Sequence, residues 1–108
     1  MLNILFSDDY RIMNLRHFRY FLSVAHNRSF TRAAAQLGIT PPTLTRQIQN
    51  MEKTLGTPLF VRDNREVNLT FAGTVMLAEA QRTVEQFDTA LELIRNIGCQ
   101  ENHNPDRG

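Results

Sequence analysis

Apolar residues recur along this chain at helical spacing, interrupted by one short stretch that alternates like a strand. Leu15, Phe18, Leu22 and Ala25 follow one another at intervals of three and four, with Phe21 beside them. Asn14 precedes them and suits an N-cap, so the spacing predicts an amphipathic helix of about three turns that ends at Asn27 and Arg28. A second helix is expected from near Thr31, with that threonine as its cap, through Arg32 and three alanines to Leu37. Small alanine side chains let a neighbouring helix approach closely, and Gly38 supplies the left-handed conformation that closes the helix. Thr40 can cap a third helix, whose apolar positions Leu44, Ile48, Met51 and Leu55 fall at i, i+4, i+7 and i+11 before Gly56 and Pro58 stop it.

The period then changes. Leu59-Phe-Val-Arg62 is β-prone, Asp63-Asn-Arg-Glu66 forms turns, and Val67-Asn-Leu69 returns, which predicts a two-stranded hairpin. Thr70 can cap a final long helix. Within it Leu77, Val84 and Leu91 are seven apart, as are Ala80, Phe87 and Ile94, and the two sets are offset by three. A helix that packs only on its own domain usually shows a wider stripe, so this a/d pattern predicts a helix–helix dimer seam. Gly98 is expected to end the helix. The polar tail after it has no large apolar residue and is expected to be disordered.

Two adjacent prolines, Pro41 and Pro42, open the third helix. The first N–H groups of a helix have no internal partner, so proline forfeits nothing there. Pro42 is expected as the first helical residue. Pro41 is expected in an extended conformation before it, because the residue preceding a proline is pushed out of the α region.

Helix, glycine turn and helix, followed by a hairpin, make a winged helix-turn-helix when the first helix braces the second. The expected fold is therefore mainly α, with three helices and a two-stranded wing followed by a long dimerising linker helix. The helix-turn-helix falls at about 30–49 and the wing at about 59–69, within a domain over 13–70. The linker helix occupies 71–97 and the tail 98–108. Met13 would make a natural protein start, so 1–12 reads as an upstream extension.

Charge changes this picture. The net charge is only +1, but from Leu15 to Arg65 eight basic residues face two acids, while from Glu66 onward three arginines face seven acids. A basic half followed by an acidic half points to a polyanion partner for the first. Opposite the Leu44–Ile48 face, the third helix offers Thr45, Arg46, Gln49 and Lys53, with Thr43 near its start. These side chains can reach base edges and phosphates, and none is acidic. Arg62 and Arg65 lie on the hairpin, placed to enter a narrow minor groove.

Other classes fit poorly. No apolar run reaches the ~20 residues a membrane helix needs, and the first residues make a poor secretory signal, so a cytoplasmic location with no membrane partner is expected. A single cysteine, Cys99, excludes an internal disulfide and a multi-cysteine metal site. His17, His26 and His103 have no carboxylate or cysteine at useful spacing; His17 and His26 read as surface or interface residues. No enzyme activity, metal or cofactor is expected.

From Ser29 to Gly73 the run SFTRAAAQLGITPPTLTRQIQNMEKTLGTPLFVRDNREVNLTFAG resembles the winged helix-turn-helix of the LysR-type transcriptional regulators. Its motifs are SFTRAA, L-T-R-Q-I, G-x-P-L-F-x-R and V-x-L-T-x-A-G, and the likeness extends over about residues 13 to 97. Molybdate-responsive regulators have a similar amino-terminal domain, but G-x-P-L-F-x-R suits the LysR type better. The resemblance implies a recognition helix in the major groove that begins at Thr40 to Pro42. Pro42, Thr45 and Arg46 would meet DNA, Thr31 and Arg32 phosphate, and Arg62 and Arg65 would belong to the wing. The linker helix would pair antiparallel with that of a homodimer mate, with a higher oligomer open for a full-length form. Two departures stand out: Pro41 replaces a glutamine that reads a base, and Phe71 replaces a glutamate. Such regulators also continue into an effector-binding domain of two α/β lobes, so inducer response is not implied. A DNA-binding fragment or a natural truncation is the expectation. The alternative reading is a truncated module that dimerises through the linker helix and interferes with full-length relatives.

Overall fold

A computed structural model describes residues 13–63 and 66–102. The expected extension over 1–12, Arg65, His103 and the last residues of the expected tail lie outside the described residues. The elements run α1 (Leu15–Asn27), α2 (Phe30–Leu37), α3 (Pro41–Leu55), β1 (Phe60–Arg62), β2 (Val67–Leu69) and α4 (Phe71–Asn102). This mainly helical fold with a two-stranded antiparallel wing is the one the sequence predicts.

Local chemistry explains most boundaries. Asn14 caps α1 by accepting from the N–H groups of Arg16 and His17, and the His17 ring in turn accepts from the Asn14 N–H at 3.2 Å. Arg28 closes α1 in the left-handed region at φ 52°. Gly38 and Gly56 close α2 and α3 the same way, at φ 74° and 76°. Ser29, not Thr31, caps α2: its hydroxyl accepts from the Arg32 N–H at 3.1 Å. That start lets Phe30 turn inward as the first helical residue and meet Phe60, with ring centroids 5.9 Å apart.

The prolines also differ from expectation. Thr40 accepts from the Thr43 N–H, which fixes Pro41 as the first helical residue and Pro42 as the second. The helix therefore starts one residue earlier than the pre-proline preference suggests.

The core gathers Phe21 and Val24 of α1, Ala33 and Ala34 of α2, Leu44, Ile48 and Met51 of α3, Leu59 and Phe60 of the wing, and Ala80 of α4. Full burial of a side chain such as Phe21 or Leu44 contributes about 1.5–3 kcal/mol. Leu55, the last residue of the predicted α3 stripe, stays 45% exposed. Ser23 and Asn27 of α1 both donate to the Gln36 side-chain oxygen of α2, at 2.7 and 2.9 Å, which ties the bracing helix to α1.

In the wing Phe60 pairs with Leu69, Val61 with Asn68 and Arg62 with Val67, so Phe60 turns inward while Val61 and Arg62 are exposed. The Thr70 hydroxyl donates to the Pro58 carbonyl at 2.7 Å and accepts from the Gly73 N–H at 2.9 Å. Gly73 lies so close to the wing that a Cβ there would run into the Leu59 carbonyl. The glycine thus permits α4 to start against the strand.

The last helix is longer than expected. It continues through Gly98 to Asn102, so the residues from 98 to 102 are helical and not a disordered tail. Gly98 has no steric conflict there, and glycine inside a helix costs only about 0.5–1 kcal/mol relative to alanine. A preceding helix of this length overrides that penalty. With 32 residues, α4 reaches roughly 48 Å at 1.5 Å per residue.

Candidate nucleic-acid interface

The amphipathic pattern of α3 sets the candidate interface. Leu44, Ile48 and Met51 are buried and fix the helix to the core through one face. Pro41, Pro42, Arg46, Gln49 and Lys53 are exposed on the other side, with Thr43 and Thr45 half-buried. Among the described residues the side chains of Arg46, Gln49 and Lys53 form no hydrogen bond or ion pair. They remain available to an outside partner.

The first turn of α3 has an unusual donor set. A helix N-terminus normally offers free N–H groups to anions. Here the first two are replaced by proline and the third is held by Thr40, whose hydroxyl also bonds that of Thr43 at 2.8 Å. The start of this helix therefore presents side chains and proline rings rather than backbone donors.

A second group forms where α2 meets the wing. Arg32 at the start of α2 and Arg62 at the end of β1 line one open groove of about 350 Å³. The Arg62 guanidinium lies over the Phe30 ring, 4.2 Å from its centroid. Such a stack orients the planar group and leaves its edge free to donate. Thr31 is exposed in the same first turn of α2. Arg65 lies outside the described residues, so its place in the wing is not described.

Sequence reasoning missed three features. Arg28 also lines the groove beside Arg32 and Arg62. Its sequence signals were only a position at a helix end and membership of the basic block. Glu52, an isolated acid in the basic block, accepts from the N–H groups of Leu59 and Phe60 at 2.7 and 3.3 Å. This carboxylate holds the wing at a set place beside α3. His17, expected at the surface or an interface, is buried within the domain and not at its surface, and its Nε2 bonds the Gln47 side-chain oxygen of α3 at 2.9 Å. Nδ1 accepts from the Asn14 N–H, so Nε2 donates in the neutral ring.

The predicted dimer seam divides in two. Ala80 is 0% exposed within the domain core, Val84 is buried and Leu77 packs partly against the same cluster. Phe87, Leu91 and Ile94 are exposed. The first half of the seam is thus taken up by the chain's own domain, and α4 lies against α1 as far as the Arg19–Asp88 ion pair at 2.8 Å.

No group of three or more His, Cys, Asp or Glu among the described residues could hold a metal ion. No helix among them is long and apolar enough to cross a membrane.

Three braced helices, an exposed polar face on the third and a flanking two-stranded wing define a winged helix-turn-helix DNA-binding domain. Residues 15–74, more than half of the chain, match the family described as bacterial regulatory helix-turn-helix protein, lysR family, and the chain belongs to that family. It is 48% identical over 85 residues to the HTH-type transcriptional regulator BudR of Klebsiella aerogenes, covering 79% of this chain and 59% of BudR. It is 46% identical over 85 residues to the Hca operon transcriptional activator HcaR of Escherichia coli K12, where the match covers 29% of the relative. The chain therefore spans between about a third and three-fifths of these two regulators. Among solved structures it is similar to the BenM DNA-binding domain in complex with benA site 1 DNA, with TM-score 0.77 and 40% identity over 80% of this chain and 97% of that one. A likeness of TM-score 0.75 and 34% identity to the CbnR DNA-binding domain–DNA complex covers 80% of this chain and 99% of that one.

Proposed function

We propose that this domain binds operator DNA as a dimer, in the cytoplasm, to regulate transcription. In this reading α3 enters the major groove and presents Pro42, Thr45, Arg46 and Gln49 to base edges, with Lys53 near the backbone. Thr40, Pro41 and Thr43 shape the entrance of the helix. Thr31 and Arg32 contact phosphate, and the wing directs Arg62, with Arg65, toward the minor groove. Exposed Phe87, Leu91 and Ile94 on α4 pair with the same residues of a second copy.

The observation that carries this reading is the unpartnered polar face of α3, Arg46 above all, opposite the buried Leu44–Ile48–Met51 face. The DNA complexes formed by the similar BenM and CbnR domains support it. A second reading, a module that dimerises with full-length relatives and disables them, draws support from the exposed distal apolar residues of α4.

Titration of labelled duplex from the chain's own promoter region at two salt concentrations separates the two. The DNA reading expects tight binding at low salt that weakens steeply as salt rises. Absence of binding at low salt would leave only the interaction module. Arg46→Ala should weaken operator binding by about 1–3 kcal/mol without altering the melting temperature. An unchanged affinity would remove Arg46 from the interface.

A further inference from the structure

Arg28 is the only described non-glycine residue with positive φ, at 52°. Its backbone N–H caps α1 by donating to the Val24 carbonyl at 2.8 Å, a task that any residue except proline can perform. Glycine would adopt this conformation with less strain. The turn therefore gives no reason for an arginine side chain at this point. Strained conformations cluster where a side chain has another role.

The surroundings suggest that role. Arg28, Arg32 and Arg62 line the same groove of about 350 Å³ between the start of α2 and the wing. Asp63 and Glu66 also line it, and the Asp63 carboxylate already accepts from the Glu66 N–H at 2.9 Å. Three arginines and two acids thus share the lining of this groove. Among the described residues Arg28 and Arg32 form no side-chain hydrogen bond or ion pair, and Arg62 is engaged only with the Phe30 ring. Arginines that line an open groove can offer it planar guanidinium groups, which match the oxygens of a phosphodiester.

We propose that Arg28, together with Arg32, clamps one phosphate of the DNA backbone in this groove, beside the Arg62 that the wing directs to the minor groove. The proposal rests on the DNA-binding reading and adds a contact outside the recognition helix. The contact is independent of base sequence and fixes how the domain sits on the duplex.

The test compares the wild-type chain with Arg28→Gly by titrating a labelled mixed-sequence duplex across a salt series. Glycine removes the guanidinium and relaxes the backbone, so the variant should fold with an equal or higher melting temperature. Its affinity at low salt should fall roughly three- to tenfold, and its slope of log K against log salt should become shallower by about 0.9. Arg28→Lys should keep most of the slope. Arg82→Gln, on α4 and paired with Glu79, should keep all of it. A wild-type slope in Arg28→Gly would overturn the clamp and leave the DNA reading standing. An equal loss in Arg82→Gln would reduce the effect to net charge and overturn it too. If the wild-type chain fails to bind at any salt, the DNA reading falls and the clamp with it. Should Arg28→Gly lose its fold, Arg28→Gln carries the same expectation and the same risk.

Discussion

The two halves of α4 share one heptad register and meet different surroundings. From Phe71 to Val84 the helix is anchored to the winged domain. Gly73 allows close approach to Leu59, Leu77 packs partly against the core, and Ala80 and Val84 are buried. From Glu85 onward the same register leaves Phe87, Leu91 and Ile94 exposed, the last at 67%, and Leu93 and Ile97 widen the apolar surface. A 3.5-residue period shows that one face will be covered. It does not say by what. Here the domain's own core covers Leu77, Ala80 and Val84 and leaves Phe87, Leu91 and Ile94 uncovered.

The largest difference between the halves should appear on placing a carboxylate in each. Ala80→Asp buries a charge in the core without a partner, and should cost on the order of 4 kcal/mol or abolish the fold, as read from a thermal melt. A mild effect would mean that α4 detaches readily and that its anchored half is less fixed than its burial suggests. Phe87→Asp should leave the helical circular dichroism intact and convert the proposed dimer to a monomer by light scattering. The melting temperature should also lose its dependence on protein concentration. A Phe87→Asp protein that stays dimeric would place the pairing surface elsewhere. Val84 makes a poorer probe, since a charge there would disturb domain and seam together.

The same contrast explains what could be read from the sequence. Features fixed within a few residues were legible: the caps at Asn14, Thr40 and Thr70, the left-handed glycines at Gly38 and Gly56, and the buried stripe of Leu44, Ile48 and Met51. The polar face of α3 followed from that stripe by geometry alone. Where two local solutions competed, tertiary contact decided. Ser29 and Thr31 both carry a capping hydroxyl, and Ser29 is the cap that brings Phe30 to Phe60. Contacts across long separations left no local mark. Glu52 reaches the start of β1, His17 reaches Gln47 thirty residues away, and Arg28 shares a groove with Arg62. These long-range contacts set the wing and the groove between it and α2. The helix-turn-helix was therefore plain in the sequence and the Arg28 part of its surface was not.

The smallest effect should come from the boundary between the halves. Asp88 accepts from Arg19 of α1 at 2.8 Å, one residue beyond Phe87, and is the last described contact that ties α4 back to the domain by an ion pair. Both side chains are about half exposed. Such a pair contributes only about 0–1 kcal/mol, because solvent screens it and two flexible side chains must be ordered. Asp88→Ala should therefore lower stability by at most roughly 0.5 kcal/mol at low ionic strength, with the loss disappearing near 1 M salt. Amide exchange should quicken beyond Val84 and remain unchanged at Ala80, because hydrophobic burial and not the ion pair holds the first half. A loss well above 1 kcal/mol, or faster exchange as far back as Leu77, would show that the anchored half depends on this charge pair. The division between a buried and a free half of the helix would then have to be drawn further along the chain.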